Sequence, residues 1–366
     1  MSDPVTAGAV LTIDLDAVVA NWRLLSAMTR SECAGVVKAD AYGTGAALVA
    51  PALARAGCRR FFVATLEEGI ALRPLLGEAE IFVLTGPYAG TEPEFIAHNL
   101  IPVLNEPGQI ERWAALAAAR GGLPAALHVD TGMSRLGLMP SEVTALAARP
   151  ESLAAFRPCL LMSHLACSED EPNEKNEAQR RAFEHARAQL PPMPCSFANS
   201  SGIFLGQAYH YDLARPGAAL YGVNPQPERP NPMRGVVKLE GRIIQVRSID
   251  AGTTVGYGAS HRVTARTTIA TVGVGYADGF MRSLGNRASG FLAGVRVPLV
   301  GRISMDLITF DISAVPEHAA RPGAMIELIG AEHDVDALAA EAGTIGYEIL
   351  TSLGRRYTRV WTGGTA

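Results

Sequence analysis

The segment Leu11-Thr12-Ile13-Asp14-Leu15 alternates apolar and polar positions with the period of a strand, and Asp16 can cap the helical run that continues to Met28. A different rhythm then sets in. Short apolar runs rich in Val, Ile, Leu and Phe alternate with helical stretches of about ten residues, as parallel strands joined by crossover helices do. The runs are Ala34 to Lys38, Arg60 to Ala64, Ile81 to Thr85, Ile101 to Leu104, Ala125 to Val129, Cys159 to His164, Cys195 to Asn199 and Tyr211 to Arg215. Eight such units predict a closed (β/α)8 barrel. Lys38, Asp130, His164, Asn199 and Arg215 stand at or just past the ends of these runs, on the C-terminal rim where active sites of this fold lie.

From Asn224 to Met233 the chain reads NPQPERPNPM, and its prolines bar both helix and central strand. This marks a boundary between an N-terminal barrel, residues 1–230, and a C-terminal domain, residues 231–366, with residues 9–15 able to pair with the latter. Beyond the boundary come β-branched, alternating stretches punctuated by glycine: Gly241 to Ile249, Thr267 to Gly273, Val295 to Val300 and Leu307 to Ile312. Only Val335 to Ala342 reads as a full helix. The second domain is expected to be mainly antiparallel β.

With 366 residues, 48% of them hydrophobic, the chain can bury a large core in two domains. Its net charge of −4 arises from 32 basic and 36 acidic residues scattered without a basic tract, which argues against a nucleic-acid partner. Met1 to Gly8 lacks the basic start and apolar stretch of a secretion signal, and no apolar segment reaches the roughly 18 residues of a membrane span, so a soluble, cytoplasmic protein is expected. Cys33, Cys58, Cys159, Cys167 and Cys195 are odd in number and lack CxxC spacing, which suits reduced core thiols. His164, Cys167, Asp170 and His185 do not have the spacing of a zinc site either, and no metal is expected.

Lys38 ends an apolar strand, where a strongly hydrated ammonium is ordinarily avoided. A lysine partly desolvated at a barrel rim is poised to lose its proton and can form a Schiff base, although a strand-end lysine can also simply reach solvent. The eighth run leads into Leu213-Ala214-Arg215-Pro216-Gly217-Ala218-Ala219, which brings backbone amides and a fixed cation beside the first strand once the barrel closes. Loops after strands seven and eight are the habitual phosphate site of this fold. Ser200, Ser201 and Gly202 add donors there, or form an ordinary polar turn.

The sequence resembles the alanine racemases. The motifs that carry the resemblance are VVKADAYGTG at 36–45, HVDTGMSRLG at 128–137, SHLA at 163–166, ANSSG at 198–202, ARPGAALYG at 214–222, VGYG at 255–258, GYADGF at 275–280 and GRISMD at 301–306. The likeness extends to about Tyr347. It implies interconversion of L- and D-alanine with pyridoxal 5'-phosphate (PLP), in the service of D-alanine supply for the cell wall or of its breakdown, by a head-to-tail homodimer. Carried over residue by residue, it makes Lys38 the lysine that holds PLP and acts as one base, and surrounds the phosphate with Tyr42, Ser200, Gly217, Ala218 and Tyr347. Arg215 would face the pyridine nitrogen, with His164 orienting it, and Arg135 would bond the cofactor's phenolic oxygen and the substrate. Tyr257 from the partner subunit resembles the second base, Met305 presents a backbone amide to the substrate carboxylate, Asp306 lies behind it and Tyr276 lines the entrance. Racemisation takes a proton from one face of Cα and delivers one to the other, which is why two bases are wanted.

Some positions depart from the family. Where many members carry a lysine, carbamylated in several, this chain has His128, which forms no stable carbamate, so a bound chloride or another carboxylate must be supposed beside Arg135. Ser304 replaces a frequent cysteine, and Arg356-Tyr357-Thr358-Arg359 replaces the usual RVPR. The alternatives are a racemase of another small amino acid such as serine and a non-enzymatic PLP carrier. A carrier would have no use for Tyr257, Met305 or a second domain. A barrel decarboxylase would place glutamate where Arg215 stands.

Overall fold

The computed structural model describes residues 6–364; of Met1 to Gly8, read above for a secretion signal, the first five lie outside the described residues. The eight apolar runs become parallel strands. Glu32–Cys33 and Gly35–Val36 run end to end, followed by Arg60–Val63, Glu80–Val83, Ile101–Leu104, Pro124–His128, Arg157–Met162, Cys195–Ser196 and Leu213–Ala214. The ring closes because Leu213–Ala214 pairs with Glu32–Cys33 on one side. On the other, Asp212 N–H donates to the Cys195 carbonyl at 3.0 Å and Arg215 N–H to that of Ala198 at 2.8 Å.

The barrel's interior is a core of its own: Ala34, Val36, Phe62, Phe82, Ile101, Val103, Ala126, Leu160, Met162 and Leu213 are all buried. Phe62 and Phe82 stack there with ring centroids 4.7 Å apart, so the barrel is filled and its open space lies at the rim. Outside the strands a second, larger core joins the helices, including Leu15–Met28, Ala46–Arg55 and Glu174–Gln189.

Two local expectations are corrected. The cap of Leu15–Met28 is Asp14, whose carboxylate accepts the Ala17 N–H at 3.0 Å, while Asp16 accepts the Gly364 N–H at 2.9 Å. After the seventh strand there is no full helix but two 3-10 turns, Ser201–Ile203 and Gln207–Tyr209. The side chains of ANSSG explain this. Asn199 Oδ1 takes the Gly202 N–H at 2.8 Å and Ser200 Oγ takes that of Gly217 at 2.9 Å, so these polar groups compete with a helical ladder.

The later part of the chain forms the antiparallel sheet, centred on the long strand Val237–Ile249, which pairs with Met325–Ile329 and Thr267–Val272. The chain's first strand, Ala9–Asp14, joins this sheet and not the barrel: it lies antiparallel to Val237–Ile249 and parallel to Thr358–Thr362. Its Leu11 and Ile13 are fully buried there. Besides the helix Val335–Ala342 a second one, Gly346–Ser352, follows Gly343 in the left-handed conformation. No helix among the described residues is long and apolar enough to cross a membrane.

Candidate active site

Past Val36 the backbone does something that the sequence Lys-Ala-Asp-Ala-Tyr does not announce. Ala39, Asp40, Ala41 and Tyr42 all have φ between 52° and 54°, one turn of left-handed helix directly after Lys38. Each such residue costs about 1–2 kcal/mol, so the turn must be held by its surroundings. Asp40 Oδ1 accepts the Ala46 N–H at 2.8 Å, and Glu68 Oε1 accepts the Ala39 N–H at 2.6 Å. The C-terminal segment holds the turn's far end: Arg359 donates to the Gly43 carbonyl, and Trp361 Nε1 to that of Thr44 at 2.8 Å. Gly43, at φ 79°, lies so close to the Leu350 carbonyl that a Cβ would come within 2.3 Å of it.

The turn delivers Lys38 to a rim cavity of about 530 Å³ that gathers Tyr42, Arg135, His164, Ser200, Arg215, Gly217, Ala218 and Tyr347. Burial, with the Arg135 charge second, lowers the pKa of the Lys38 ammonium, while Glu68 opposes them. At the lower end Ser200 Oγ accepts the N–H groups of Gly217 and Ala219 at 2.9 and 3.2 Å. A Cβ on Gly217 would sit 2.4 Å from the Tyr42 hydroxyl, so glycine opens a cradle here. Tyr42 stacks on Tyr221 at 4.8 Å and meets Tyr347 edge-on at 6.3 Å. Burial pushes the Tyr42 phenol up to about 12 and raises that of Tyr347, so both remain hydroxyl donors.

Arg215 is only 4% exposed, lies 5.8 Å above the Phe62 ring, and has no carboxylate partner among the described residues. Its guanidinium donates to Ser196 Oγ and, at 2.6 Å, to the Ser163 carbonyl. These two groups orient it, and His164 is not among its partners. Burial brings Arg215 down to about 10, leaving it cationic at neutral pH. His164 shares the cavity and is held neutral, its pKa pushed well below the usual value by burial and by Arg215.

Asp130 does not pair with Arg135. Its Oδ1 is taken by the N–H groups of Gly132, Met133 and Ser134, at 2.8, 3.0 and 3.2 Å, which shapes the loop that carries Arg135. His128 is buried with Nδ1 2.7 Å from Asn105 Oδ1. Asn105 Nδ2 donates to the carbonyls of Leu84 and Val103, at 3.0 and 2.9 Å, so its oxygen must accept and His128 Nδ1 carries the proton. Nε2 is left as a bare acceptor. Burial, then Arg215, brings His128 from 6.5 to about 4, with Asp130 opposing and Arg135 reinforcing. The unfolded chain takes this proton near pH 6.5 and the folded chain only near pH 4, so stability present above pH 6.5 is lost as the pH falls towards 4. Between pH 7 and pH 4.5 the loss through His128 is about 2–3 kcal/mol. In thermal melts His128→Asn is expected to lose less stability than wild type over this interval; parallel curves would contradict the assignment.

Tyr257, Tyr276, Met305 and Asp306 do not line this cavity. Tyr257 is 67% exposed and Met305 54%, on the C-terminal domain. There Arg356 bonds Asp278 Oδ1 at 2.9 Å and Asp306 Oδ1 at 2.7 Å, and Ala277 N–H donates to the Met305 carbonyl at 2.9 Å, so the two loops that carry Tyr276 and Met305 are tied together. The RYTR segment thus supplies both this tie and, through Arg359, the hold on Gly43. Phe62, Glu169 and Glu348 also line the cavity. Neither they nor Ser196 were singled out from the sequence, since no local pattern sets them apart, and Ser163 stood there only as part of the SHLA motif, with no role of its own.

Residues 13–225 match the model of the alanine racemase N-terminal domain and residues 236–361 that of the alanine racemase C-terminal domain. The chain is 58% identical over 362 residues to an alanine racemase of Rhodospirillum rubrum, covering 98% of this chain and 96% of the relative. It is 52% identical to a catabolic alanine racemase of Mesorhizobium japonicum, covering 98% and 94%. Among solved structures, alanine racemase of Bartonella henselae with covalently bound pyridoxal phosphate superposes with a TM-score of 0.94 at 43% identity, covering 97% of this chain and all of that one. Biosynthetic alanine racemase of Pseudomonas aeruginosa gives 0.91 at 34%, covering 98% and 100%.

Proposed function

Since this chain belongs to the alanine racemase family and interconverts L- and D-alanine as a PLP-dependent isomerase, we propose that Lys38 and the partner subunit's copy of Tyr257 divide the proton transfers between the two faces of the substrate. The observation that carries the reading is the single cavity in which a lysine of lowered pKa meets a buried, carboxylate-free arginine and the cradle at Gly217. These residues fit PLP. Lys38 would hold it covalently, and Ser200, Gly217, Ala218, Tyr42 and Tyr347 offer hydroxyl and amide donors for its phosphate. Arg215 has N–H groups to spare for a ring nitrogen, and Arg135 would serve the phenolic oxygen.

When bound, PLP acidifies the Cα–H of an attached amino acid by drawing electron density into its ring. Lys38 moves the proton on one face; burial lowers its pKa and so favours the neutral amine that can accept one. Tyr257 serves the other face. Arg135 and the Met305 backbone amide hold the substrate carboxylate, Asp306 backs Met305 through its bond to Arg356, and Tyr276 lines the way in.

The exposed patch of Tyr257, Met305 and Leu307, apart from its own chain's cavity, supports a head-to-tail homodimer in which each site draws on both subunits. We divide the chain at residues 230 and 231, and the unpaired cysteines suit a reducing cytoplasm. Incubating the purified protein with each L-amino acid and assaying the D-enantiomer should single out alanine, against serine as the nearest competitor. Borohydride reduction should fix PLP on Lys38; finding it on Lys175, on Lys238 or nowhere would overturn the assignment.

A further inference from the structure

None of the motifs that carry the family resemblance includes Glu68. It lies in the helix Leu66–Leu72, three residues after the capping Thr65, where a glutamate ordinarily reaches back to the helix's own N-terminus. This one does more. Its Oε2 accepts the N–H of Ala64 at 2.7 Å, at the end of the second barrel strand, and its Oε1 accepts the N–H of Ala39 at 2.6 Å, the first residue of the left-handed turn. One carboxylate therefore ties the ends of two neighbouring strands together, at the residue that follows Lys38.

We propose that Glu68 is a positioning residue of the active site: its carboxylate fixes the left-handed turn that aims Lys38 into the cavity and supplies the negative charge that faces the Lys38 ammonium. The proposal rests on the reading of Lys38 as the working amine. Two physical arguments meet in it. Four consecutive residues in the left-handed region are unfavourable for an L-chain, so the turn needs an anchor at each end. Arg359 and Trp361 hold the far end, and Glu68 holds the near one.

The second argument is electrostatic. The groups that face Lys38 are Arg135 and His164 from the rim, Glu68 from the helix behind the turn, and Arg215, Tyr42 and Tyr347 across the cavity. Arg135 and Arg215 are cationic; Glu169, which acts on Tyr347, and Glu348 also line the cavity, but Glu68 is the carboxylate whose charge acts on the Lys38 ammonium. Glu68 thus limits how far burial and Arg135 lower the proton affinity of the amine.

The test uses the full-length chain stripped of PLP with hydroxylamine. The pH midpoint for acetylation of Lys38 by acetic anhydride is read by peptide mass spectrometry, and the exchange of the Ala39 amide is followed in parallel. Removing the charge in Glu68→Gln is expected to lower the Lys38 midpoint by about half a pH unit or more. Glu68→Asp keeps the charge but shortens the reach by one methylene, so Ala39 exchange should rise about tenfold or more with a smaller change in the midpoint. Thr65→Ala removes the ordinary helix cap and leaves the brace to Ala39, so it should alter neither reading. An unchanged midpoint in Glu68→Gln, an unchanged Ala39 amide in Glu68→Asp, or the same effects from Thr65→Ala would each overturn the proposal. Because no PLP takes part, these outcomes stand apart from the borohydride mapping, which alone decides whether Lys38 holds the cofactor.

Discussion

A Lys38→Ala chain and a Tyr257→Phe chain are each expected to lose roughly 10²- to 10⁴-fold in racemase activity, since each lacks one of two proton-transfer groups. Mixed after reversible dissociation, they should recover. In a mixed dimer one site combines both defects, while the other joins intact Lys38 to intact Tyr257 of the partner subunit. Random reassortment makes about half the dimers mixed, each with one good site of two, so roughly a quarter of wild-type activity should return. The geometry motivates the experiment: Lys38 opens into the rim cavity, whereas Tyr257 stands exposed on the C-terminal domain and lines no part of it. If mass spectrometry showed subunit exchange and no activity returned, both groups would have to serve one chain's site.

Arg215→Glu is expected to cut racemisation by about 10²- to 10³-fold and to raise transamination, read as the keto acid formed from alanine. A guanidinium always carries its protons and has none to give to a ring nitrogen, so it favours a neutral ring, which is a weaker electron sink than a protonated one. With PLP bound, Arg215 would thus limit the electron withdrawal that the ring supplies to what proton exchange at Cα needs. A carboxyl group in its place would support the protonated ring. The substitution also leaves the Ser163 carbonyl and Ser196 Oγ without their donor, so folding and PLP loading must be checked first. A folded, PLP-loaded variant with no rise in keto acid would remove this account of reaction specificity.

The strands of the barrel and the polar residues at their ends were legible in the sequence because the signals are local. Val-Val-Lys and Leu-Met-Ser-His announce an apolar strand and its rim residue within a few positions. The turn at Ala39 to Tyr42 was not legible. Alanine is the strongest right-handed helix former, and nothing in Ala-Asp-Ala predicts four positive φ values. The same limit hid the partners of Arg215. His164 was expected to orient it, yet Ser196 and the Ser163 carbonyl do so, because adjacent strands bring residues 19 and 52 positions away to the guanidinium.

By itself the sequence determined the fold class and the eight strands, together with the family it resembles. Each follows from side-chain periodicity or motif identity, which act over a few residues. Only the tertiary structure decided how the site residues are held. The strand Ala9–Asp14 found its partners at Val237–Ile249 and Thr358–Thr362, and the Lys38 turn found its anchors at Glu68, Arg359 and Trp361. Such contacts join segments as far apart as Val10 and Thr358. No local preference encodes them, and they arise when closing the barrel and docking the sheet bury both partners at once.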